Sequence, residues 1–224
     1  MALNEKVAAA REVVARVLAS DARACVTSSF QTECVALVHL AIAERPDIPV
    51  LFLDTGYHFA ETYAYRDEMS RRLGLNLVNL TPRQSVAEQE GQFGILYETA
   101  PDRCCGMRKV EPLFAGLAAY DVWLTALRRD QSPTRANLKV EDDFALPSGK
   151  VLHKISPLAD WTSKDVWDYL KLHELPVLPL YERGYTSIGC EPCTAIPEAG
   201  ADPRSGRWGG KKLECGIHTF SEKV

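Results

Sequence analysis

No run of about 18 consecutive apolar residues occurs in the 224-residue chain, so the sequence offers no membrane span. The first twenty residues carry acidic side chains and lack a compact apolar stretch followed by a cleavage site, which argues against a signal peptide and for a helix. Internal repeats and low-complexity tracts are absent, so neither a solenoid nor a disordered linker is expected. Strong net charge is missing too. At -4 the chain has no global pull toward nucleic acid, and an anionic ligand must be held by local positive charge. What remains is one large domain's worth of residues, 46% of them apolar, as in an ordinary globule.

Cysteine is present in an odd number, seven. Without an export signal this argues against a disulfide framework and points to a cytoplasmic protein whose thiols stay reduced for metal binding or chemistry. Cys25 and Cys34 lie in apolar surroundings and read as small core residues. Cys104-Cys105 and Cys190-x-x-Cys193 form four thiolate positions, which suit zinc or an iron–sulfur cluster. A zinc ribbon has two Cys-x-x-Cys knuckles and this chain has one, so the tandem pair favours a cluster. Cys215 stands apart, ten residues from the end. Gly216 beside it leaves the sulfur accessible, and Lys211, Lys212 and His218 favour its thiolate.

Along the chain, helical and strand patterns alternate. Helices are expected at 4–20, 33–44, 59–73 (stopped by Gly74) and 107–120. Strands are expected at 24–27, 49–53, 75–80 and 122–127. This alternation predicts a parallel sheet with helices on both faces. A hairpin follows at 144–153. A helix begins at Thr162 with Asp165 at the capping-box position, and beyond Leu175 the pattern gives way to ordered loops and a tail. Ligands of such sheets sit beyond the carboxyl ends of the strands. There the chain places Thr27-Ser-Ser-Phe-Gln31, whose hydroxyls and N–H groups suit a phosphate at a helix N-terminus, and Leu53-Asp-Thr-Gly-Tyr57. Arg108, Lys109, Arg128, Arg129, Arg135, Arg204 and Arg207 gather near these turns and the thiols. Their side chains are what a phosphate–sulfate anion requires.

Seven segments together resemble the assimilatory sulfonucleotide reductases, and among them the cluster-containing adenylyl-sulfate reductases. These are Ser28-Ser-Phe-Gln31, Asp54-Thr-Gly-Tyr-His-Phe-x-Glu-Thr-Tyr63, Cys104-Cys-x-x-Arg-Lys109, Arg128-Arg-Asp-Gln-Ser-Pro133, Gly189-Cys-x-Pro-Cys-Thr194, Gly206-Arg-Trp208 and Glu214-Cys-Gly-x-His218. The resemblance implies an α/β, Rossmann-like fold of the adenine nucleotide α-hydrolase type. Residues 1–200 would bind nucleotide and cluster, and 201–224 would form a mobile tail carrying the catalytic cysteine.

By the same resemblance, Ser28, Phe30 and Leu53 lie at the nucleotide pocket, and Lys109, Arg135, Arg204 and Arg207 hold the phosphosulfate. Cys104, Cys105, Cys190 and Cys193 ligate a [4Fe–4S] cluster, and Cys215 is the nucleophile. The implied reaction of assimilatory sulfate reduction converts adenosine 5′-phosphosulfate to sulfite and AMP through a Cys–S–sulfonate. Thioredoxin or a similar dithiol is the reductant, and neither nucleic acid nor a membrane is a partner. A homo-oligomer is compatible with the sequence. The alternative is the 3′-phosphorylated nucleotide, as sole or second substrate. An adenylating enzyme of the same fold would show a Ser-Gly-Gly-x-Asp-Ser loop, which residues 27–33 do not match. A zinc-bound interaction domain would have no use for Cys215. One departure stands out: Ala126 occupies a position where the family usually has Gly, which bears on nucleotide affinity more than on activity.

Overall fold

A computed structural model of the chain describes residues 2–210 and Ile217. Helix α1 (Leu3–Leu18) leads into strand β1 (Ala24–Thr27), followed by α2 (Thr32–Glu44), β2 (Pro49–Leu53), α3 (Ala60–Leu73) and β3 (Asn76–Leu80). Three short helices come next, α4 (Val86–Phe93), α5 (Leu96–Thr99) and α6 (Pro101–Cys105). A π-helical turn over Gly106–Val110 joins α6 to α7 (Glu111–Leu117). The chain continues through β4 (Val122–Leu124), the antiparallel pair β5 (Glu141–Ala145) and β6 (Val151–Ile155), and α8 (Ser163–Leu172).

The six strands form one sheet in the order β3-β2-β1-β4-β6-β5, parallel except for β5. Alternation along the central strands divides the core. Val26 and Val50 face a cluster beneath α1, α2, α3 and α8, while Cys25, Leu51 and Trp123 face a second one beneath α7. Helices therefore cover both faces of the sheet. No described helix is long and apolar enough to cross a membrane.

From β1 the chain moves outward to β2 and β3, then returns to the other side of β1 to lay down β4. The order reverses between β1 and β4, and a crevice opens beyond their carboxyl ends. The expected helix at 107–120 is instead a composite of α6, the π turn and α7. In the turn Glu111 N–H donates to the Gly106 carbonyl, five residues back. Such bulges recur at functional sites because the extra residue re-aims the side chains around it. The α8 cap agrees with its sequence signal: Asp165 accepts from Thr162 N–H at 2.7 Å and Thr162 Oγ1 accepts from Asp165 N–H at 3.2 Å.

Candidate functional site

The crevice at the β1/β4 reversal holds a cavity of about 190 Å³. Its floor is strand ends and the turns that follow them. Thr27 and Ser28 come from β1, Leu53 and Thr55 from β2, and Thr125, Ala126 and Leu127 from β4. Trp123 lines it from β4 and donates its indole N–H to Thr27 Oγ1 at 2.9 Å. Ser28 N–H donates to the Leu51 carbonyl at 2.9 Å, and Thr125 N–H to that of Ile155 at 2.8 Å. These bonds tie the turns to neighbouring strands.

Of the expected nucleotide residues, Ser28 and Leu53 line the cavity and Phe30 does not. The Phe30 side chain lies in the core, its ring centroid 5.8 Å from that of Phe52. Its φ of 57° makes it one of three non-glycine residues with positive φ among those described, and its N–H donates to Ser28 Oγ at 3.1 Å. Phe30 therefore shapes the turn from below. Cys34, expected in the core, is only half-buried and borders the cavity 3.4 Å from Ser29 Oγ; burial, reinforced by Glu33, raises its thiol to about 11. Cys25 is a core residue, as expected.

All four expected anion-binding side chains, Lys109, Arg135, Arg204 and Arg207, line this cavity. They arrive from three places: the π turn, the loop after β4, and residues 204–208. The last of these fold back so that Ala195 N–H donates to the Gly206 carbonyl at 2.8 Å. The Arg207 guanidinium packs against the backbone of Gly189, and any β-carbon there would collide with it. Arg128 and Arg129 are held elsewhere, by Asp130 and Asp160. Sequence reasoning missed Glu33, Gln131 and Thr125. Gln131 donates to Glu33 at 2.7 Å and accepts from Arg135. Its place inside Arg128-Arg-Asp-Gln-Ser-Pro133 was the available signal.

Beside the cavity, and sharing Lys109 and Trp208 with it, lies a pocket lined by Cys104, Cys105, Cys190 and Cys193. The tandem pair comes from the end of α6. The Cys-x-x-Cys segment is brought to it by the β2–α3 turn, where Glu191 N–H donates to the Tyr57 carbonyl at 2.7 Å and Thr55 Oγ1 lies 3.3 Å from Cys190 Sγ. Arg108, 3% exposed, donates to the Thr55 carbonyl and to Gln89 Oε1 at 2.9 Å, locking the same turn to α4.

Burial and the three neighbouring thiols push Cys104 up to about 11. Burial also opposes ionisation of Cys190, yet Lys109, the Thr55 hydroxyl and Arg207 hold that thiol below its ordinary value. Among the described residues no group of three His, Cys, Asp or Glu is arranged to hold a single metal ion. Four thiols around one pocket, with two cations beside them, nonetheless form a donor set that fits a tetrathiolate cluster. Cys215 lies outside the described residues. Ile217, two positions further along, lines the cavity and packs on the apolar cluster that contains Leu113 and Trp123.

The phosphoadenosine phosphosulfate reductase domain matches residues 23–196. An adenosine 5′-phosphosulfate reductase of Streptomyces coelicolor is 49% identical over 198 residues, covering 88% of this chain and 82% of that one. Its counterpart from Mycobacterium tuberculosis is 48% identical over 187 residues, 81% and 71% of the two chains. Among solved structures, the phosphoadenylyl-sulfate reductase of Candida auris in its phosphate complex superposes with a TM-score of 0.73. That match is at 24% identity over 84% of this chain and 90% of that one, a likeness of fold.

Proposed function

The chain belongs to the phosphoadenosine phosphosulfate reductase domain family, and we propose that it reduces adenosine 5′-phosphosulfate to sulfite and AMP in sulfate assimilation. The observation that carries this reading is the convergence of Lys109, Arg135, Arg204 and Arg207 on one crevice at the sheet's reversal point. The names of relatives near 48% identity support the substrate. Electrostatic stabilisation of a phosphosulfate needs preorganised cations in a partly dry site. Lys109 and Arg207, 9% and 5% exposed, meet that need.

Cys215 is the proposed nucleophile. Its thiolate attacks the sulfate sulfur, an S–S bond forms, the S–O bond to the phosphate breaks, and AMP leaves with that oxygen. Charge that accumulates on the leaving phosphate falls to the lysine and arginines. A dithiol such as thioredoxin then attacks the cysteine sulfur of the Cys–S–sulfonate, releases sulfite and takes over the cysteine as a mixed disulfide. Its second thiol resolves that bond, so the dithiol is oxidised by two electrons and Cys215 returns as a thiol. The position of Ile217 on the cavity wall supports a role for Cys215 there. Cys104, Cys105, Cys190 and Cys193 would hold a [4Fe–4S] cluster. When bound it supplies a fixed centre of negative sulfur charge that orients Lys109.

A second reading, in which the 3′-phosphorylated nucleotide is the substrate, is favoured by the family's description. One experiment decides between them: anaerobic turnover of both nucleotides with thioredoxin, with sulfite measured. Substrate without reductant should leave an adduct about 80 Da heavier on Cys215, removable by a dithiol. Iron analysis should find about four irons per chain. Sulfite production by Cys215→Ser at a substantial fraction of the wild-type rate would rule the mechanism out.

A further inference from the structure

Four cations line the cavity, and Glu33 is the single carboxylate among the described residues that do so. A negative charge in a chamber for a sulfonucleotide weakens binding of the anion, so its presence needs a reason. The carboxylate is also held in place. Gln131 Nε2 donates to Oε1 at 2.7 Å and Thr32 Oγ1 to Oε2 at 3.1 Å. Glu33 lies in the first turn of the 13-residue helix α2, where the helix dipole favours an ionised acid. It thus occupies the helix N-terminus that the sequence alone assigns to a phosphate.

Lys109 and Arg207 adjoin Cys190, while Glu33 is linked through Gln131 to Arg135. A phosphosulfate held by the four cations brings the adjoining ribose, with its hydroxyls, toward the wall that holds Glu33. A carboxylate can accept a hydrogen bond from a ribose hydroxyl, but it repels a phosphate on the same oxygen. This is the physical basis on which acidic residues of dinucleotide sites separate unphosphorylated from phosphorylated ribose.

We propose that Glu33 is a specificity-determining residue, which admits the 3′-hydroxyl of adenosine 5′-phosphosulfate and rejects a 3′-phosphate. The assignment rests on the function proposed above and deepens it. Like charge beside a half-buried carboxylate is costly at several ångströms. Rejection therefore requires only that the carboxylate face the ribose, and no shape difference elsewhere.

The test is Glu33→Gln, which keeps shape and hydrogen bonding and removes the charge, with Glu33→Asp as the charge-retaining control. Both are compared with wild type as full-length, anaerobically purified protein. For Glu33→Gln the ratio of kcat/KM for the 3′-phosphorylated nucleotide to that for adenosine 5′-phosphosulfate should rise at least about tenfold. Glu33→Asp should stay near the wild-type ratio. Inhibition constants for adenosine 3′,5′-bisphosphate and AMP should shift relative to each other in the same sense. On wild-type protein alone, discrimination between these two inhibitors should shrink as salt rises from about 0.03 to 0.3 M.

A Glu33→Gln ratio within about twofold of wild type, an equal loss for both nucleotides, or discrimination independent of salt would each overturn the role of Glu33. Wild-type protein that binds AMP and reduces neither nucleotide overturns the proposed function instead. In that case the inhibition constants still decide the role of Glu33.

Discussion

Lys154 is a cation held almost out of water, 9% exposed, with its ammonium 5.3 Å from the ring centroids of both Trp123 and Phe144. Burial lowers it to about 8 from an ordinary 10.5, with Arg135 adding repulsion and Asp142 opposing the shift. Between those two values the unfolded chain binds more protons than the folded one, so stability should rise with pH through this window. The slope cannot exceed roughly 1.4 kcal/mol per pH unit for one group. Lys154→Met should lose that rise, and urea titrations of both proteins at several pH values between about 7.5 and 10.5 measure the difference.

Ala126, 7% exposed, lines the cavity and has no positive φ, so the backbone there does not require the usual glycine. Ala126→Gly should change AMP affinity by no more than a few-fold, about 1 kcal/mol, with kcat less affected, as calorimetry and kinetics can establish. At this scale the sequence was legible where chemistry is local. Thiols and cations announce their capacities, and six of the seven residues assigned to substrate do line the cavity. Phe30 escaped because a buried ring under a positive-φ turn and one facing a ligand read alike. Glu33 escaped because an acid in a helix's first turn is ordinary until the cavity around it is known.

Between β2 and α3 the turn Asp54-Thr-Gly-Tyr57 carries out several functions at once. It closes part of the cavity floor, meets Cys190 through Thr55, and receives Arg108 from the π turn. Gly56 sits at φ 73°, and a β-carbon there would lie 2.8 Å from Val86 Cγ2 and 3.1 Å from Arg108 Nη2. Gly56→Ala should cost about 2 kcal/mol and loosen the approach of the two cysteine segments. Arg108→Met strips the Thr55 carbonyl and Gln89 of a buried donor and should cost roughly 2–4 kcal/mol by denaturant titration.

Most elements with strong periodicity were readable to within a residue or two, but β4 stops at Leu124, three residues short of the expected end at 127. β1 and β2 begin and end where expected, because a buried parallel strand is a continuous apolar run between turn residues. Helices α4 to α6 went unread. They are short, and they bury little, Gln89 and Leu96 being the only buried residues of α4 and α5, so no apolar stripe marks them. The Ser85-Val-Ala-Glu88 capping box was the one local sign of α4. The π turn could not be anticipated from propensity, since it answers to the cysteine pocket that it borders.

Taken whole, the molecule solves a charge problem: a chain with net charge -4 collects four cations around one cavity. Lys109 comes from the segment that follows β3, Arg135 from the loop after β4, and Arg204 and Arg207 from residues far along the chain that fold back. An anion that meets all four ties these segments together across a partly dry space. A ligand that neutralises them should therefore tighten three segments distant in sequence as one unit. AMP at about a hundred times its Kd should add roughly 2.7 kcal/mol to the stability of the folded state. Adenosine, which lacks the phosphate, should stabilise the protein less at equal concentration. The AMP increment should fall with salt, because exposed parts of the field are screened. Hydrogen exchange should then slow together at 27–34, 125–135 and 204–208. Protection confined to one of these segments, or equal stabilisation by adenosine, would mean that the cations do not act on a common ligand.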